Sequence, residues 1–185
     1  MRYFVDLKPY FNFRMAYPKD KVLSETDYIA VHNYFYFQED MEWGIIGDNQ
    51  AEINLERTSN FDCIECNSQT IDLDDIAAKK IIIAGASSWG LFNEKFQLEY
   101  SDKTYEAIPI YLGEWSHPIE MHTRHMFEAE TADYTKCNLL RKYRHRAGQA
   151  FIYYNVKELS ESKEIRKIIF PDNICMFIFG ITLES

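Results

Sequence analysis

Glycine and proline are scarce in this chain, 7 and 5 among 185 residues. That scarcity excludes collagen-like repeats and Gly/Pro-rich linkers, and with 46% hydrophobic residues it also excludes wholesale disorder. Cysteine is equally thin. Cys63, Cys66, Cys137 and Cys175 are scattered through a chain long enough to bury roughly two-thirds of its unfolded surface. A core of that size needs no staples, so the four read as reduced thiols and a cytoplasmic location is expected. Long hydrophobic runs are missing too: the longest, from Ile174 to Leu183, is far short of the roughly 20 residues a membrane helix requires. Asp6 and Lys8 interrupt the apolar start, which gives no core of a secretory signal. The expectation is a protein without export signal or membrane partner. Positive charge is also in deficit, with 20 Lys+Arg against 29 Asp+Glu and a net charge of -9, so no nucleic-acid partner is expected. G-x-G-x-x-G, G-x-x-x-x-G-K-[ST], G-x-S-x-G and H-E-x-x-H are all absent, leaving nucleotide binding, serine hydrolysis and zincin chemistry without a motif.

Aromatic residues are abundant instead: 13 Tyr, 13 Phe and 3 Trp, which favour pleated, half-buried surfaces. Alternating or continuous β-rich runs recur at 28–37, 51–56, 61–66, 69–73, 80–84, 96–100, 107–112, 151–156, 165–170 and 175–183. Turn chemistry lies between them at Gly47-Asp48-Asn49, Ser101-Asp102-Lys103 and Pro171-Asp172-Asn173. Helical periodicity is confined to 156–164, read as a single turn or short helix, while 135–146 is ambiguous. No repeat or linker divides the chain. The expected architecture is all-β, one domain over residues 1–185, built as an antiparallel β-sandwich or jelly roll.

The succession of segments carries a resemblance. Val5 to Asn12 opens it, and Gln69-Thr-Ile-Asp-Leu73 precedes Lys80-Ile-Ile-Ile-Ala-Gly-Ala-Ser87. Phe96 to Asp102 then leads to Tyr111-Leu-Gly-Glu-Trp115, and Phe170-Pro-Asp-Asn173 leads to Ile178 to Glu184. In that order they resemble the galactose-binding-like β-sandwich domains found as accessory modules beside bacterial glycoside hydrolases. Ser101-Asp102-Lys103 stands where an Asp-Gly turn is usual, and Glu114-Trp115 where Asp-Trp is usual. The resemblance implies a non-catalytic carbohydrate- or glycoconjugate-binding module that needs no cofactor.

Flat aromatic faces match the C–H surface of a pyranose, so Trp89, Trp115 and Trp43 are candidate stacking platforms. Trp89 and Trp115 each follow a strand, where a rigid sandwich gathers its binding residues. Asn93 and His117 are candidate hydrogen-bonding neighbours. The stretch between Asp133 and Glu158 is free of acid and contains Arg141 and Arg144, whose forked donors suit an anionic ligand. His117, His122 and His125 lie among three carboxylates and invite a metal, but a three-residue spacing separates His122 from His125 on a strand, so no metal is expected there. Cys63 and Cys66 also point to opposite faces of a strand and cannot converge on one ion. Two other classes stay open: a structural, self-assembling sandwich with an aromatic homo-oligomer interface, and a metal-dependent jelly-roll enzyme using the histidine cluster.

Overall fold

A computed structural model describes residues 1–18, 35–37, 41–47, 51–116, 118, 137–145 and 148–185. The run Ile81-Ile-Ile-Ala-Gly-Ala-Ser87 is buried without interruption. Such a run fits only a strand covered on both faces. It forms the second half of β7 (Thr70–Ser87), the middle of the main sheet. β12 (Asp172–Glu184) flanks it on one side and β11 (Gly148–Ile169) on the other, both antiparallel. β1 (Arg2–Phe4) and β6 (Ile64–Asn67) pair with β12. β10 (Asn138–His145) continues the sheet beyond β11, followed by β3 (Phe35–Phe37) and β2 (Ala16–Pro18), which pair parallel.

The second layer comes from the same long strands. β7 spans 18 residues, which would reach roughly 60 Å if straight. Its two flanks nonetheless meet one short stretch, since Asn67 pairs with Asp172 and Ser87 with Met176. The strand therefore doubles back, with Asp75 at a φ of 52° in the bend. β11 follows it by means of a bulge: Leu159 to Ser162 stand opposite Lys79 alone. Strands that change sheet at a bend make the corners of such sandwiches. Beyond the corner the first half of β7 and the end of β11 continue into β8 (Phe92–Tyr100) and β9 (Tyr105–Leu112), an antiparallel hairpin.

One core fills the space between the layers, with Ile81, Ile83 and Tyr153 meeting Ile71, Phe96, Leu98, Ile110, Ile165 and Ile168. Alternation sends Ile82, Ala84, Ala86, Ile152 and Phe179 to the other face. There the hairpin of β4 (Gly44–Gly47) and β5 (Glu52–Leu55) covers them with Ile46, Ile53 and Leu55. The fold is all-β, with antiparallel sheets packed as a sandwich; among the described residues the sole helical turn is the 3-10 segment Lys8–Tyr10.

Two expectations need correction. Residues 156–164 form no helix but the middle of β11, where the polar spacing Lys157, Glu158, Ser160, Glu161 and Ser162 belongs to a solvated bulge. Runs expected as separate strands also fuse, 69–73 with 80–84 into β7 and 151–156 with 165–170 into β11, because their polar middles are corners rather than loops. The ambiguous 135–146 contains strand β10, and of the run at 28–37 only Phe35–Phe37 falls within the described residues.

Candidate loop-end binding site

At the end of the sandwich away from the corner, the chain leaves β7 through Ser87-Ser88-Trp89-Gly90. Ser87 forms a parallel bridge with Glu114: its N–H donates to the Gly113 carbonyl (2.9 Å) and its carbonyl accepts from the Trp115 N–H (2.9 Å). The Ser87 hydroxyl, buried, is shared between the carbonyls of Gly90 (2.5 Å) and Leu112 (2.9 Å). This anchoring fixes a turn in which Trp89 has a φ of 70° and Gly90 a φ of 136°. Glycine adopts such angles without penalty. A tryptophan does not, at a cost of about 1–3 kcal/mol, and strain of this kind concentrates at functional positions. The Trp89 residue is 55% exposed.

Other groups converge on the same loop. The Ser88 N–H donates to the Cys175 carbonyl (2.9 Å), bringing in the start of β12, where Ile174 is exposed. The Asn173 amide donates to Glu94 Oε1 (2.8 Å) and accepts from the Cys175 N–H (3.0 Å). Asn93, exposed on β8, stands opposite Tyr111, and the Ser116 hydroxyl donates to Glu114 Oε1 (2.8 Å). This end of the sandwich thus exposes two large apolar residues, Trp89 and Ile174, on segments joined by the Ser88–Cys175 backbone bond.

The structure thus brings Trp89 and Asn93 to one loop end. Trp115 contributes backbone there, but its side chain packs into the second core at 8% exposure and offers no stacking face. Trp43 is half-buried, with the Arg57 guanidinium 5.1 Å above its ring. Arg141, on β10, pairs with Glu42 at 3.6 Å. Arg144 occupies the β10 position opposite Gln149; its side chain, together with His117, His122 and His125, lies outside the described residues. Cys63 and Cys66 fall into different cores, as the three-residue spacing on a strand dictates, and burial pushes both thiols above their ordinary range. Among the described residues no three His, Cys, Asp or Glu side chains are grouped to hold a metal. Ile174 and the Glu94–Asn173 pair carry no sequence signal, because only the doubling back of β7 sets 94, 173 and 88 side by side.

A second polar region lies at the corner. A cavity of about 390 Å³ is lined by Ala77, Tyr100, Ser101, Asp102, Ser162, Lys163 and Glu164. The Lys163 ammonium is met by Asp102 (3.1 Å), Glu161 (3.2 Å) and the Thr104 hydroxyl (3.3 Å), one acceptor for each of its protons. Hydrogen bonds from Thr104, then the Lys163 charge, hold the Asp102 carboxyl down at about 2. Tyr100 donates to Glu106, which also accepts from the Ser160 N–H (3.1 Å). Burial first and Glu106 second push the Tyr100 hydroxyl above its ordinary value. These groups satisfy one another and tie the β8–β9 turn to the β11 bulge.

Compared with known protein-family models and with curated proteins, the chain matches none.

Proposed function

We propose that the protein is a non-catalytic carbohydrate- or glycoconjugate-binding module, related to galactose-binding-like domains, whose ligand stacks on Trp89. The observation that carries this reading is the exposed indole on a strained, internally anchored backbone. Asn93 at the start of β8 and Ser116 and Glu114 after β9 lie on the segments that adjoin this turn and offer amide, hydroxyl and carboxylate groups to the hydroxyls of a bound sugar. Planar amides and carboxylates fix orientation, while the ring supplies apolar contact. Trp89→Ala is expected to weaken binding of a cognate glycan at least tenfold, read by calorimetric titration after a glycan-array screen, while leaving the denaturation midpoint within a few degrees of wild type. A screen across a broad panel without saturable binding contradicts the reading.

One observation favours a second reading. Ile174 is a second large exposed apolar residue, on the segment whose Cys175 carbonyl accepts from the Ser88 N–H, and exposed apolar residues at one end suit a subunit interface. Under that reading sedimentation at micromolar concentration shows a dimer that Trp89→Ala dissociates; a wild-type monomer removes it.

A further inference from the structure

Two neighbouring serines leave β7, both buried, and their hydroxyls have opposite fates. The Ser87 Oγ shares its one proton between two carbonyls, that of Gly90 three residues on (2.5 Å) and that of Leu112 at the end of β9 (2.9 Å). The Ser88 Oγ has no hydrogen-bond partner among the described residues. The Gly90 bond is the side-chain-to-backbone closure by which serine builds a turn where the strand would otherwise run on. The Leu112 bond ties that turn to the β8–β9 hairpin, beside the Gly113 carbonyl that accepts the Ser87 N–H. Side-chain packing contributes little at the tip of the turn, since a Cβ on Gly90 would meet nothing within 4 Å and Trp89 is exposed. Hydrogen bonds on either side of Trp89 are what oppose the cost of its left-handed backbone: the Ser87 hydroxyl bond that closes the turn, and the Ser88 N–H bond to the Cys175 carbonyl.

We propose that Ser87 is the positioning residue of the Trp89 site: its hydroxyl holds the 87–90 turn in the one conformation that presents the indole, whereas the adjacent Ser88 hydroxyl is dispensable. Removing the Ser87 hydroxyl takes a donor from the Gly90 and Leu112 carbonyls and frees the turn to relax toward a backbone that tryptophan adopts without strain. Removing the Ser88 hydroxyl deletes a buried group that has no partner to lose, and the Ser88 N–H bond to Cys175 survives the change. The effect on affinity rests on Trp89 as the stacking platform; the ordering of the turn does not.

The experiment measures backbone order and affinity in the full chain. Nitrogen-15 relaxation of the wild-type protein is expected to give the Trp89 and Gly90 amides order parameters near the rigid value of about 0.85. In Ser87→Ala they are expected to fall below about 0.6, while Ser88→Ala keeps them at the wild-type level. A merely structural serine would lower the denaturation midpoint and leave the order of the folded turn unchanged. Against the strongest binder from the glycan screen, Ser87→Ala is expected to lose about tenfold in affinity and Ser88→Ala less than about twofold. Order parameters that stay rigid in Ser87→Ala or fall equally in both variants, or an unchanged affinity in Ser87→Ala, overturn the proposal. Absence of glycan binding by the wild type overturns the sugar reading instead, and the order parameters then decide the role of Ser87 in the turn. If Ser87→Ala fails to fold, Ser87→Cys, which keeps the bulk and weakens the donor, takes its place.

Discussion

Asn155 illustrates how a single side chain can take the place of a strand. It is fully buried on β11, and its amide donates to the Tyr111 carbonyl (2.5 Å) while its oxygen accepts from the Tyr111 N–H (3.0 Å). These bonds seal β9 where, among the described residues, only β8 pairs with it along its length. Asn155→Leu leaves the Tyr111 backbone with neither bond in a dry environment, and a loss of about 2–4 kcal/mol is expected in urea unfolding; a loss below 0.5 kcal/mol would show that the bridge is dispensable. The two tryptophans make the complementary point about legibility. Trp89 and Trp115 look alike in sequence, each following a strand, and both were reasonable platforms. What separates them is backbone geometry. The bridge from Ser87 to Glu114 turns Trp115 into the core, while a positive φ swings Trp89 outward. Gly90 hints at a turn there, but nothing in the sequence marks Trp89 itself as left-handed.

At the scale of elements, β7 was half legible. Its continuous apolar end announced a strand buried on both faces; its polar middle, Asp74-Asp75 to Lys79-Lys80, imitated a loop. The difference lies in hydrogen bonding, because the corner keeps its ladder to β11 through Ile76, Ala77 and Ala78 while Asp74, Asp75 and Lys79 are exposed. Gly85, inside the buried half, is required by crowding from both sides. A Cβ there would strike the Phe177 carbonyl and stand 2.8 Å from Leu112 Cδ1. Gly85→Ala is expected to destabilise by about 1–3 kcal/mol, seen as a lower midpoint with an unchanged denaturant slope; wild-type stability would mean that the β12–β7 spacing is looser than described. The turn at Ser101-Asp102-Lys103, by contrast, was readable in full. Asp102 Oδ1 accepts from the Thr104 N–H (2.9 Å), the self-bonding expected of Asp in a turn, and Lys103 takes a φ of 68°.

For the whole molecule, the all-β sandwich was written in aromatic content and period-two runs, whereas its doubled-back construction and the approach of residues 173–175 to the Trp89 turn were not, since both depend on pairing between residues far apart in sequence. Acid response is a property at this scale, and two opposing sets of carboxyls determine it. Asp102, Glu99, Glu106 and Glu184 have pKa values held below their ordinary ones by hydrogen-bonded partners, so their stabilisation is present at neutral pH and lost as pH falls below about 4. Asp62, whose carboxyl burial pushes up from 3.8 to about 6, acts with the opposite sign between about 7 and 4. Stability is thus expected to pass through a maximum near pH 5, measured as denaturant midpoint from pH 3 to 8; a steady decline from pH 8 downward would show that the buried carboxyl has no influence. The most direct measurement on the proposed function remains a titration of wild-type protein and Trp89→Ala with the strongest binders from a glycan array. Saturable binding that disappears with the indole is the expected result. Equal binding by both proteins, or none by either, would contradict a sugar site at the Trp89 loop.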